Sequence, residues 1–287
     1  MAQNPRVLIV SPEAAPFAAA GGLADAASGL AAALSRIGAG VSLILPKYRR
    51  PEIESLALEL VTPELFVPLG ADKVKASVHK AEVSFGRVFF VDNPKYFCRE
   101  EIYGSVKEEY LDNDERFTFF DRAVLEFVLK LKLPVDVIHC HDWPTALVPL
   151  FLRTQYGQKN HFKDTAAVLS VHDAARQGKF PPESLAWTGL NWDYFRPDQL
   201  AFNGRFNFLK AGMIFSDGLN VVPADGKEGF LPGESGNGIE EILQKRANGF
   251  SRIVNGSDES TWESTAGEYL EIYAKAIGAK RGGQSGR

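Results

Sequence analysis

The stretch that most limits the fold is residues 6–45. Arg6-Val7-Leu8-Ile9-Val10-Ser11 is a short apolar run bounded by Pro12 and reads as a buried strand, while the Ala/Leu-rich run from Ala26 to Leu34 carries apolar residues at helical spacing. Gly38-Ala39-Gly40 then breaks the helix, and Val41-Ser42-Leu43-Ile44-Leu45, closed by Pro46, gives a second strand. Strand, helix and strand in so short a span form a βαβ unit, which requires parallel pairing and a right-handed crossover. The fold class that follows is α/β: a Rossmann-like, mostly parallel sheet flanked by helices.

Between the first strand and its helix lies Pro16-Phe17-Ala18-Ala19-Ala20-Gly21-Gly22-Leu23-Ala24-Asp25. Two readings of the glycines stand side by side. Glycine lets a backbone come close to a ligand, and the free N–H groups of a helix start attract anions, so the loop suits a phosphate-bearing ligand. Equally, Gly21 and Gly22 could serve a tight turn.

Downstream, Lys73 to Val83 and Arg87 to Asp92 read as strands about a Phe85-Gly86 turn, an inserted hairpin region on the same sheet. Asn113 to Lys132 places Phe117, Phe120, Val124, Phe127, Val128 and Leu131 on one helical face. Val135 to Cys140 is the next strand, with a helix over Thr145 to Tyr156, and Ala166 to Val171 repeats the pattern. An aromatic connection follows over residues 181–207, then a short helix from Phe208 to Ile214 and a last strand from Gly218 to Val222. Residues 224–238 are glycine-rich and loop-like, Ile239 to Ala247 is helical, and Thr265 to Ile277 closes the chain as a helix before a Gly/Arg tail expected to be disordered.

Composition removes several classes of function. A net charge of −4 supplies no basic footprint for nucleic acid, so none is expected as a partner. Cys98 and Cys140 have no metal-ligand spacing and suit a reducing, cytoplasmic setting. The start of the chain lacks the regions of a signal peptide and no apolar run reaches membrane-spanning length, so no membrane partner is expected either. There is no Gly-x-Ser-x-Gly elbow, no His-Glu-x-x-His and no Gly-Lys-Ser/Thr phosphate loop.

Open parallel sheets bind ligands beyond the carboxyl ends of their strands. Gly21-Gly22, His141-Asp142 and His172-Asp173 all follow predicted strands and so share one rim. His141, Asp142 and His172 are the candidates for polar work, set against the alternative that a strand-end histidine merely bonds a loop carbonyl. His139 alternates away from Cys140 and reads as buried and structural. Trp143 and the aromatic connection read as core rather than a sugar platform.

Several of these stretches, in order, resemble the N-terminal half of the bacterial glycogen synthase and plant starch synthase family, ADP-glucose-using glucosyltransferases of the GT-B fold. They are Ser11-Pro12-Glu13-Ala14-Ala15-Pro16-Phe17 with Gly21-Gly22-Leu23-Ala24-Asp25; Leu45-Pro46-Lys47-Tyr48-Arg49; Tyr103-Gly104; Tyr110 to Phe117; and Val137 to Ala146. Val171 to Gly178, Asn207 to Gly212, Ser216-Asp217 and Ile253-Val254-Asn255-Gly256-Ser257-Asp258 with Trp262 complete the set. The resemblance implies a starch/glycogen synthase N-terminal domain over 1–262, a returning helix over 263–278 and a disordered tail over 279–287. His172 and Asp142 would be catalytic, and Gly21, Gly22, Asp25, Tyr103, His141 and Asn255 substrate-binding, with His172 beside the transferred glucose and the glycines beside the diphosphate. The implied chemistry is retaining, needs no metal or cofactor, and rests on electrostatic stabilisation of the departing diphosphate.

Departures accompany the match. Ala19 stands where the family has lysine, Asp173 where it has asparagine, Arg176 where it has tyrosine, and Val221-Val222-Pro223-Ala224 replaces Thr-Val-Ser-Pro. After Trp262 the family's second Rossmann domain is expected to be missing, with only its returning helix retained. Two readings therefore stay open. One is glucosyl transfer from ADP-glucose to an α-1,4-glucan, with a protein partner at the face the second domain would cover; the other is a pseudoenzyme domain that binds glucan or a regulatory partner without turnover.

Overall fold

The computed structural model describes residues 4–105, 108–223, 238–246 and 249–282. Strand β1 (Arg6–Val10) leads into α1 (Leu23–Arg36), β2 (Gly40–Pro46) and the single-turn helix α2 (Pro51–Glu54). Then come β3 (Glu59–Leu69), β4 (Asp72–Val83), β5 (Gly86–Asp92), the short α3 (Pro94–Phe97) and the long α4 (Asn113–Leu131). β6 (Val137–His141), α5 (Leu147–Phe151) and β7 (Ala166–Val171) follow. A small layer of β8 (Lys179–Phe180), β9 (Ala201–Phe202) and β10 (Arg205–Asn207) precedes α6 (Phe208–Phe215), β11 (Gly218–Val221), α7 (Glu240–Lys245) and α8 (Glu259–Gly282).

The main sheet has the order β11-β7-β6-β1-β2-β5-β4-β3. Six strands from β11 to β5 are parallel, and β4 and β3 extend the sheet antiparallel. β1, β6 and β7 are buried along nearly their whole length, as expected of strands covered by helices on both faces. The inserted region sits on this sheet, and β5 does more than close a hairpin: it pairs parallel with β2 as well as antiparallel with β4. β3, unread in the sequence, forms the outer edge; its ladder shifts register between Leu60 and Leu65, and it carries Pro63 and Pro68.

Three helices differ from expectation. The segment 145–156 is not one helix but a 3-10 turn (Trp143–Thr145), α5 and a π turn (Leu152–Tyr156). Pro149 lies inside α5, where it has no N–H to give and crowds the preceding turn, so a continuous α-helical ladder cannot form. In α4 the predicted face is buried except Leu131, which is 41% exposed, while Phe119 and Leu125 are buried too. Its buried surface thus reaches almost all round and takes in Arg116, Asp121 and Arg122 as well as the apolar face, as suits a helix enclosed by other elements.

The closing helix begins at Glu259 and runs to Gly282, through the first residues predicted as tail; residues 283–287 lie outside the described residues, as does the glycine-rich stretch over 224–237. Tyr269 and Tyr273 are buried, with Ile272 and Ala276 beside them, whereas Leu270 and Ile277 sit half-buried at the flank. Small residues let α8 come close. A Cβ on Gly29 of α1 would lie 2.5 Å from the Trp262 ring, and one on Gly218 of β11 would lie 2.9 Å from Ile272. Among the described residues no helix is long and apolar enough to cross a membrane, and no group of His, Cys, Asp and Glu could hold a metal ion. Cys98 is exposed and Cys140 buried, both as free thiols.

Candidate active site

Strand order reverses at β1, which lies between β6 and β2. Connections leaving β1 therefore depart from those leaving β6 and β7, and a crevice opens at the carboxyl ends of these strands. A cleft of about 400 Å³ occupies this place, lined by the β1–α1 loop (Glu13, Ala20, Gly21, Gly22, Leu23), the turn after β6 (Asp142, Trp143, Pro144) and the turn after β7 (His172, Asp173, Arg176). Val222, Pro223, Tyr103 and Asn255 complete the wall.

The glycine loop answers the question the sequence leaves open. Gly22 has φ −66 and ψ −12, ordinary right-handed values, and Gly21 also lacks the positive φ that favours glycine. A methyl group on either would meet no atom within 4 Å. The loop's own folding thus makes no demand for glycine at these two positions, and the tight-turn reading loses its basis.

The loop is also not an empty anion cradle. Glu13, 4% exposed, accepts from the N–H groups of Ala20 (2.6 Å) and Gly21 (3.0 Å) through Oε2, and from the Tyr103 hydroxyl (2.7 Å) through Oε1. The chain places its own carboxylate on part of the surface predicted for phosphate. The next N–H groups, at Gly22 and Leu23, belong to the start of α1, where no intrahelical acceptor exists. Glu13 is the cleft-lining residue that pattern reading missed; its one signal is a carboxylate in an otherwise apolar loop.

Asp142 follows β6 with φ 58 and ψ −176, a region that residues other than glycine seldom occupy and that costs about 1–3 kcal/mol. Its amide donates to Ser170 O at 2.9 Å, and its Oδ1 accepts from the N–H groups of His172 (2.6 Å) and Asp173 (3.3 Å). The carboxylate is thus a clamp that sets the β7 turn. Burial raises its pKa to about 7; the two backbone N–H groups oppose that shift, and the nearby Asp173 and Glu13 add to it.

His172 reaches the cleft between two partners. Its Nε2 lies 2.9 Å from His141 Nδ1, and its Nδ1 lies 3.4 Å from Asn255 Nδ2. With the Asn255 amide donating, His172 accepts at Nδ1 and donates from Nε2, so His141 keeps its proton on Nε2. That Nε2 is buried and has no partner among the described residues. Burial pushes His172 down to about 4 and His141 well below its ordinary value, so both rings are neutral at pH 7. The rings of His141 and His172 stack at 5.2 Å, and those of His139 and His141 lie 4.3 Å apart.

His139 is buried beneath, as its alternation implied. It bonds Tyr273 through Nδ1 and Ser170 through Nε2, both at 2.8 Å. Ser170 lies 2.9 Å from the Tyr269 hydroxyl, which accepts from Asn220 Nδ2 at 2.8 Å. A continuous polar chain therefore joins α8 to the strand that ends in His141.

Of the predicted site residues, Gly21, Gly22, Tyr103, Asp142, His172 and Asn255 line the cleft, and His141 stands directly behind His172. Asp25 does not line it and is exposed in the first turn of α1. Lys210, in α6, does not line the cleft; its Nζ donates to Pro197 O and Ala201 O. Trp143 is core, packed on Phe117 at 5.0 Å, whereas Trp192 of the aromatic connection is 58% exposed.

Comparison with known proteins points the same way. The family described as "Starch synthase catalytic domain" matches residues 6–245. A glycogen synthase of Thermodesulfovibrio yellowstonii is 38% identical over 273 residues, covering 90% of this chain and 54% of that protein. Glycogen synthase 2 of Geobacter sulfurreducens is 35% identical over 277 residues, covering 96% and 57%. Among solved structures, the catalytic domain of starch synthase IV from Arabidopsis thaliana, bound to ADP and acarbose, superposes with a TM-score of 0.80 at 29% identity, over 90% of this chain and 53% of that one. The chain spans about half the length of the curated relatives it matches.

Proposed function

Because the chain belongs to the starch synthase catalytic domain family, we propose that it forms one wall of a cleft in which glucose passes from ADP-glucose to an α-1,4-glucan. The observation that carries this reading is the Gly21-Gly22 pair, which stands at the sheet's switch point with open space above it and no internal need for glycine. His172 offers the sugar a neutral imidazole whose tautomer is fixed by His141 and Asn255. Asp142 acts as a positioning residue, holding the His172 backbone. Asp25, outside the cleft in the first turn of α1, steadies that helix through its dipole and does not touch the ligand.

Transfer also needs an opposing lobe, since an open wall leaves the diphosphate in water. That lobe would come from sequence continuous with this stretch or from a separate polypeptide docking over the open side. A reducing cytoplasm suits the two free thiols.

A second reading, glucan recognition without turnover, is favoured by one observation: Glu13, Asp142 and Asp173 all line the cleft, while Ala19 provides no cation. Calorimetric titration with ADP-glucose and with a maltooligosaccharide separates the two. Binding of both, together with incorporation of labelled glucose into glycogen when the second lobe is supplied, supports transfer. Maltooligosaccharide binding alone supports recognition, and binding of neither overturns both readings.

A further inference from the structure

The cleft's charge is unbalanced in a way that singles out one side chain. Glu13 is compensated by two N–H groups and a hydroxyl, and Asp142 is clamped on backbone. Asp173, half-exposed, accepts from the Ala175 N–H at 2.9 Å and carries the remaining open negative charge. Three cations outside the lining are engaged in structure: Lys47 on Asp92 at 2.9 Å, Arg99 on Asp112 at 2.5 Å, and Arg116 on the carbonyls of Tyr96 and Ile102.

Arg176 is different. Among the described residues that line the cleft it is the one with a permanent positive charge. Its side chain is 63% exposed, and its Nε stands 3.7 Å from Asp173 Oδ2, an ion-pair contact too long for a hydrogen bond. The donors of its planar fork therefore have no hydrogen-bond partner among the described residues, and a fork of this shape matches phosphate oxygens two at a time.

We infer that Arg176 receives the diphosphate of a nucleotide donor, in competition with Asp173, and so sets the cleft's preference for diphosphate over monophosphate ligands. The inference rests on the donor reading proposed above. Gly21-Gly22 gives the ligand room to approach from one side of the cleft, and Arg176 supplies charge from the turn after β7. Asp173 tempers that charge, so an incoming diphosphate must displace an existing partner.

Titration calorimetry with ADP, AMP and maltoheptaose tests this on the whole chain and on Arg176→Ala, Arg176→Lys and Asp173→Asn. Arg176→Ala should weaken ADP binding by about ten- to hundredfold, the range set by a charge-assisted contact, and AMP binding by less, leaving maltoheptaose unchanged. Arg176→Lys should recover part of the loss, because lysine keeps the charge without the fork. Asp173→Asn, in which folding is not at issue for so exposed a side chain, should tighten ADP binding. Arg176→Ala binding ADP within about twofold of the unaltered chain, or weaker ADP binding in Asp173→Asn, overturns the assignment while the donor reading stands. An unaltered chain that binds no ADP removes the donor reading and the assignment with it.

Discussion

Replacing Tyr273 with phenylalanine should destabilise the protein by about 2 kcal/mol, the cost of a buried donor left without an acceptor. The direction of every bond in the chain beneath the site follows from one backbone contact. Ile253 N–H donates to Asn220 Oδ1 at 2.8 Å, which fixes the amide and turns its NH2 toward Tyr269. Tyr269, accepting there, donates to Ser170, and Ser170 donates to His139 Nε2. His139 must then hold its proton on Nδ1 and give it to the Tyr273 oxygen. Tyr273→Phe strands that N–H at a fully buried position. For a chain of this size the loss corresponds to roughly 3–4 °C in Tm, and to a lower urea midpoint with an unchanged slope. Nitrogen-15 spectra of the imidazole rings check the premise directly, since the Nδ1–H and Nε2–H tautomers have different cross-peak patterns. An Nε2–H tautomer at His139, or a loss below ~0.5 kcal/mol, would refute the reasoning.

Three further outcomes follow. Acidification should destabilise the chain from about pH 6.5 down to about 3, because His139, His141 and His172 stay neutral when folded but take up protons when unfolded. Asp142 works the other way, binding its proton more tightly when folded and losing that contribution as pH rises through 7, so Asp142→Asn should show a steeper acid decline in urea titrations at several pH values. Gly22→Ala should leave stability within ~0.5 kcal/mol, since its φ and its surroundings accept a methyl, yet weaken ADP binding measurably by calorimetry; unimpaired ADP binding would return the glycine to a purely local role. Gly29→Ala should cost about 1–3 kcal/mol in thermal unfolding by pushing on Trp262, and Trp262→Leu should relieve most of that in the double variant; additive losses would mean the two do not press on each other.

How far the sequence reveals this molecule depends on how local each cause is. β1, β2, β6, β7 and β11 are visible as apolar runs because each is buried on both faces, so every residue reports the same environment. β3 escapes because only one of its faces is covered and two prolines interrupt it. The small β8–β10 layer escapes because strands of two or three residues carry no period. The helix after β6 is misread where Pro149 should have warned against continuity. In the site, strand-end position is enough to find His141, Asp142 and His172. The role of Glu13 is not legible, because it depends on a loop folding back until Ala20 and Gly21 meet its carboxylate. Asp142 as clamp rather than free acid is likewise a product of its backbone angles, which no spacing rule reports.

Pro63 and Pro68 on β3 bear on how copies of this protein meet one another. The strand ends the sheet, and Leu60 and Phe66 are exposed on it at 50% and 55%, so a neighbour would find both stickiness and unpaired backbone there. Each proline deletes an N–H, and the slipped ladder bends the rim out of line, which denies an arriving strand the regular row of donors it would need to dock. The sheet is thereby kept from seeding a stack of its own kind, and crowded solutions of the chain should stay dispersed even though its margin is greasy.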